Sequence, residues 1–103
     1  MSRWAYNVGY RAGKRFVNYI INKANGSSYG KVSSSYFNKV FGNWNSRIES
    51  RNRYRGSSWM ASFHKGWANA INYSGVSEYV GGHTSNLVYQ YRYPYRRTYE
   101  FDR

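Results

Sequence analysis

The chain has no cysteine, one proline and only four acidic residues in 103. Each shortage excludes something. Without cysteine there is no disulfide framework, no thiolate-bound zinc and no thiol chemistry. Unbroken runs of aliphatic or aromatic residues never exceed three, as in Tyr19-Ile20-Ile21. A transmembrane helix needs about 20 apolar residues and the core of a secretory signal about 7–15, so neither is expected. Carboxylates are too few to build much acid–base chemistry. His64 and His83 could join Glu78 in a metal set, and Ser85, His83 and Glu78 could be written as a triad. Neither spacing specifies a site, so catalysis, a bound metal and a cofactor are not expected. The Gly81-Gly82-His83-Thr84-Ser85 stretch lacks the Gly-Lys-Thr ending of a nucleotide loop and reads as a turn.

What is present is cationic and aromatic. Sixteen Lys and Arg against four Asp and Glu give a formal charge of +12. Aromatic residues make up 21% of the chain, and 13 of them are Tyr. That aromatic richness argues against disorder throughout, and the length fits one small domain. A charge this one-sided repels itself in a compact fold and calls for a polyanionic partner, most commonly nucleic acid. The charge is also unevenly placed. Residues 1–25 carry five cations and no acid, and residues 26–56 carry six cations against Glu49. Residues 57–88 are neutral, with Lys65 against Glu78, and residues 89–103 carry four Arg against Glu100 and Asp102.

Periodicity predicts a mainly α fold: a small three-helix domain over residues 1–75 and an extended Tyr/Arg-rich arm over 76–103. The first helix spans 3–25 and stops at Asn25-Gly26. At 100° per residue, Arg3, Asn7, Arg11, Lys14, Arg15, Asn18 and Asn22 share one sector of about 120°. Ala5, Val8, Ala12, Phe16 and Ile20 lie opposite, with Gly9 and Gly13 among them. These two glycines have the small-xxx-small spacing that permits close helix approach. A second helix is expected over 36–55, capped by Ser34 or Ser35 and stopped by Gly56. Its seam is Phe37, Phe41, Trp44, Ile48, Arg51 and Arg55, so burial should end near Ile48. A third helix over 59–73, with Ser57 and Ser58 as caps, carries the stripe Trp59, Met60, Phe63, Trp67, Ala70 and Ile71. From 87 to 101 the pattern alternates, which reads as an edge strand, a free arm or a hairpin made with residues 76–80.

Four groups of residues could carry function. The polar face of the first helix holds Arg3, Asn7, Arg11, Lys14, Arg15 and Asn18, suited to phosphates, sugars and base edges. The second group is Arg47, Arg51, Arg53 and Arg55, whose guanidinium forks match phosphate and stack on rings. In the third, Tyr89, Tyr91, Tyr93 and Tyr95 interleave with Arg92, Arg96 and Arg97, as a base-stacking or intersubunit arm. The fourth is Trp59, Phe63 and Trp67, which serve either the core or subunit contact. A three-helix domain has little room to hide 22 aromatic rings, which favours a homo-oligomer or filament.

These features lead to the expectation of a non-enzymatic, nucleic-acid-binding structural protein. It would coat or package a genome as many copies, like a viral nucleocapsid, in a virion or the host cytoplasm. Its phosphate contacts would be independent of sequence, to DNA or RNA. The alternatives are a peripheral RNA-binding subunit of a ribonucleoprotein such as a ribosome, and a cationic membrane-active helical protein. A helix-turn-helix regulator fits poorly, because the third helix has one cation and a wide aromatic face.

Overall fold

Three α-helices form in chain order in the computed structural model of the protein, which describes residues 2–81. Helix α1 is Arg3–Asn25, α2 is Ser34–Asn52 and α3 is Ser57–Asn72. The expected arm, with Tyr89, Tyr91, Tyr93, Tyr95, Arg92, Arg96 and Arg97, lies outside the described residues. None of the described helices is long and apolar enough to cross a membrane.

With so few acids in the chain, serine hydroxyls do the capping. Ser2 accepts the Ala5 N–H at 3.0 Å, and Ser33 accepts the Tyr36 N–H at 3.1 Å. The α2 cap is therefore Ser33, and the expected caps Ser34 and Ser35 are already inside the helix. At its other end α2 leaves the α conformation at Asn52, and Arg53–Arg55 form a 3₁₀ turn. The Asn52 side chain bonds back to the Ile48 carbonyl at 3.0 Å and accepts Arg55 Nε at 3.0 Å, which tightens this end. The expected caps Ser57 and Ser58 are likewise inside α3. Gly56 takes the cap position with φ 91°, a left-handed value that favours glycine, and reverses the chain there.

Helices α1 and α3 run parallel and in close contact. The Ser2 N–H donates to Ser62 Oγ at 3.0 Å, and Asn69 Nδ2 donates to the Tyr6 hydroxyl at 2.9 Å. Between these ties the backbones touch. A Cβ on Gly9 would collide with the Phe63 carbonyl, and one on Gly66 with the Tyr6 carbonyl. A Cβ on Gly13 would stand 2.7 Å from the Ala70 Cβ. The small residues of α1 thus meet a matching row on α3, Ser62, Gly66 and Ala70. The expected α3 stripe is buried throughout, and so are Ser62, His64, Gly66 and Ala68.

Helix α2 docks through its first half. Phe16 of α1 is the hub of that contact: its ring lies 5.6 Å from Phe37, 5.7 Å from Phe41, 5.4 Å from Trp44 and 5.5 Å from Trp67. Aromatic pairs at these separations add about 0.5–1.5 kcal/mol each beyond their buried area. The hydroxyls of Tyr19 and Tyr36 meet at 3.3 Å on the outside of the same joint. That contact holds the Tyr36 phenol above its usual range. Beyond Asn45 no α2 residue is fully buried and Ile48 is only partly so, as the arginine-ended seam predicts.

Residues 76–80 do not form the strand of a hairpin. Val76–Tyr79 is a 3₁₀ turn, and Val80 makes one parallel bridge to Val32. The Val32 N–H donates to the Tyr79 carbonyl at 2.9 Å, and the Gly81 N–H to the Val32 carbonyl at 2.8 Å. The Ser34 hydroxyl also donates to the Gly81 carbonyl. Val76 and Val80 are both buried in the core while Glu78 between them is exposed, whereas in a strand residues 76, 78 and 80 would share one face.

Candidate nucleic-acid interface

Helix α1 buries Ala5, Gly9, Ala12, Gly13, Phe16, Val17 and Ile20 against its neighbours, which fixes the opposite face in solvent. Arg3, Asn7, Arg11, Lys14, Arg15 and Asn18 are all exposed there. The helix is about 33 Å long at 1.5 Å per residue, and no carboxylate lies anywhere along it. The sequence-predicted face is therefore assembled as a single track.

The second arginine group divides. Arg47, Arg51 and Arg53 are exposed, and Arg53 pairs with Glu49 at 3.7 Å. That is the one ion pair among the described residues, and an exposed pair of this kind contributes little. Arg55 instead turns inward and is half-buried. Its guanidinium carbon lies 4.6 Å from the Trp59 ring, 4.8 Å from Tyr54 and 5.1 Å from Trp4. Trp4 meets Trp59 edge to face at 5.4 Å. The 3₁₀ turn is thereby joined to the first turn of α1, and the arginine cluster meets the N-terminal end of the cationic track.

Trp59, Phe63 and Trp67 resolve as core: they are 9%, 2% and 0% exposed. Trp59 marks the rim of that core, under Arg55 and Trp4. The exposed rings lie elsewhere. Trp4 is 57% exposed and Tyr54 75%, while Tyr73 projects from the end of α3. Beside the cationic track a groove of about 280 Å³ opens between α1 and the end of α3. Val17, Ile21 and Ala70 give it an apolar lining, and Tyr10, Lys14, Asn18, Tyr73 and Ser74 complete it. Lys14 Nζ lies 6.0 Å from the Tyr10 ring centre.

Sequence reasoning placed Arg55 among guanidinium groups that stack on rings, which its contact with Tyr54 bears out, but it missed the part Trp4 and Trp59 play in the cluster, and it missed the groove. A signal for the first was available. Trp4 precedes Arg11 by seven residues and Asn18 by fourteen, which places it within about 40° of both on a helix. Read that way, Trp4 belongs to the polar face. The groove had no such signal, because it depends on how α3 crosses α1.

His64 is fully buried, and burial drops its imidazole to about 3, so it is neutral at physiological pH. No group of three or more His, Cys, Asp or Glu that could hold a metal ion occurs among the described residues. No protein family, curated protein or solved structure matches the chain.

Proposed function

We propose that this protein is a nucleic-acid-binding structural protein that coats or packages its nucleic acid as many copies, by contacts independent of sequence. The observation that carries this reading is the α1 face, a solvent-exposed track of Arg, Lys and Asn about 33 Å long without a single carboxylate. An ordinary solvated helix face mixes both signs, because pairs of opposite charge stabilise it. Here Arg11 and Arg15 stand four residues apart as like charges, an arrangement that costs stability without an anionic partner. Phosphate suits the track, since Arg and Lys neutralise it and Asn hydrogen-bonds to it or to sugar. The domain as described carries twelve cations and two carboxylates, Glu49 and Glu78. Its exposed rings at Trp4, Tyr54 and Tyr73 supply further contact area for strand or subunit.

The test is binding of the full chain to labelled DNA and RNA across a salt series, with stoichiometry. Four cations on the track correspond to a slope of log K on log salt of about −3 for single strands and −4 for duplex. Replacing Arg11, Lys14 and Arg15 together by Gln should flatten the slope by about 2–3. Lys65→Gln, on the neutral block, should leave it nearly unchanged. Several nucleotides per subunit on any long strand supports the coat. Saturation at one structured RNA site overturns the coat in favour of a ribonucleoprotein subunit. No binding at low salt overturns the whole reading.

A further inference from the structure

We infer that the Trp4–Tyr54–Arg55 cluster is a stacking site for an unpaired nucleobase and gives the protein a preference for single strands. The inference rests on the nucleic-acid reading above and adds the form of the strand.

Three observations carry it. First, the cluster combines the two chemistries that a nucleotide requires. Trp4 and Tyr54 present ring area to solvent, at 57% and 75% exposure, and the Arg55 guanidinium lies within 5.1 Å of both ring centres. A base stacks on a ring through its π-face, and the adjoining phosphate is attracted by the guanidinium.

Second, the site is held in shape before any ligand arrives. Trp4 is braced edge to face on Trp59, which is itself buried in the core. Arg55 is fixed by its stack on Trp59 at 4.6 Å and by its Nε bond to Asn52 at 3.0 Å. Gly56, with φ 91°, fixes the reversal that brings Tyr54 and Arg55 beside α1. Little ordering entropy then remains to oppose binding.

Third, the cluster continues the cationic track. Trp4 lies on the polar face of α1, within about 20° of Arg11, and Arg3 adjoins it in the chain. A strand whose phosphates follow α1 therefore reaches the rings at its end. Double helices keep base faces inside the stack and offer a protein only groove edges and phosphates. An unpaired base is the ligand that can use these rings, so the cluster separates single strands from duplex.

The experiment compares three probes of equal length with the full chain: oligo-dT, the same backbone with abasic sites, and a duplex. The wild type should bind oligo-dT more tightly than the abasic strand by roughly 5- to 150-fold, the range for stacking one base. Tyr54→Ala and Trp4→Ala should bring oligo-dT binding down toward the abasic level and weaken duplex binding far less. Tyr54→Phe should retain the wild-type preference. Tyr54 is largely exposed, so its truncation leaves the fold intact even if Trp4→Ala loosens the end of α1. Equal binding of oligo-dT and abasic strand by the wild type overturns the stacking site and leaves the phosphate track standing. Loss of self-association in Trp4→Ala, with the base preference unchanged, makes the rings a subunit contact and overturns the proposal. Failure to bind any of the three probes at low salt removes the nucleic-acid reading itself.

Discussion

His64 shows how one side chain sets a pH limit on the domain. It is completely buried in α3, with its ring edge-on to Phe63 at 5.6 Å. Burial disfavours the imidazolium and drops the group from its ordinary 6.5 to about 3. Between those values the unfolded chain binds a proton that the folded chain refuses. Stability is therefore complete above about pH 6.5, falls as the pH is lowered and levels off below about 3. At pH 5 the loss from this residue is about 2 kcal/mol, from 1.36 kcal/mol per pH unit. Urea unfolding at pH 7.5 and 5.0 should show the loss in the wild type. In His64→Leu, whatever its stability at pH 7.5, this pH-dependent component should vanish. A direct check is the imidazole chemical shift, which should stay that of the neutral ring down to about pH 4. A ring that titrates near 6.5 would refute the assignment.

Among the helices, the α1–α3 pair depends on missing side chains. Gly66 sits where a Cβ would meet the Tyr6 carbonyl, and neither backbone can yield without separating the helices. Gly42, in the middle of α2, has nothing within 4 Å of the same added atom. Alanine is the better helix former at both positions by about 0.5–1 kcal/mol. The two substitutions should therefore differ in sign. Gly42→Ala should stabilise by up to about 1 kcal/mol. Gly66→Ala should destabilise by about 1–3 kcal/mol or more, the ordinary range for overpacking. Thermal melts of the two variants against wild type decide it, and a Gly66→Ala melt at or above wild type would show that the helices can part. The same pair shows what the sequence could and could not convey. Helix existence, the buried stripe of α3 and the polar face of α1 follow from 3.6-residue periodicity alone. Gly9 and Gly13 signalled close approach, but which helix approaches them is a tertiary fact. Gly66 lies off the large-residue stripe, and Ser57, Ser58 and the turn at residues 76–79 were misjudged for a related reason. Local composition names a residue that can cap or pair, while the chain reversal at Gly56 and the docking of residues 76–80 against Val32 and the core are tertiary facts.

Across the whole molecule, the charge that suits a polyanion also weakens the free fold. Twelve cations and two carboxylates occupy the described residues, with one ion pair between them. Arg11 with Arg15 on α1 and Arg47 with Arg51 on α2 stand four residues apart as like charges. Each such pair costs about 0.2–0.5 kcal/mol on an isolated helix, so the two together cost up to about 1 kcal/mol before longer-range repulsion is added. Salt relieves that repulsion: the Debye length shrinks from about 30 Å at 0.01 M to about 10 Å at 0.1 M. For a domain of this size 1 kcal/mol corresponds to about 4–8 °C in Tm. Melting should therefore shift upward by about 5–10 °C between 10 mM and 0.5 M NaCl. At 10 mM salt a saturating polyphosphate should raise Tm at least as far, because it adds binding free energy to screening. The triple Gln variant at Arg11, Lys14 and Arg15 should start from a higher Tm and gain less from both additions. A wild-type Tm indifferent to salt would mean that the cations are already spaced widely enough to coexist. The α1 track would then no longer be a feature held at a cost to the free protein.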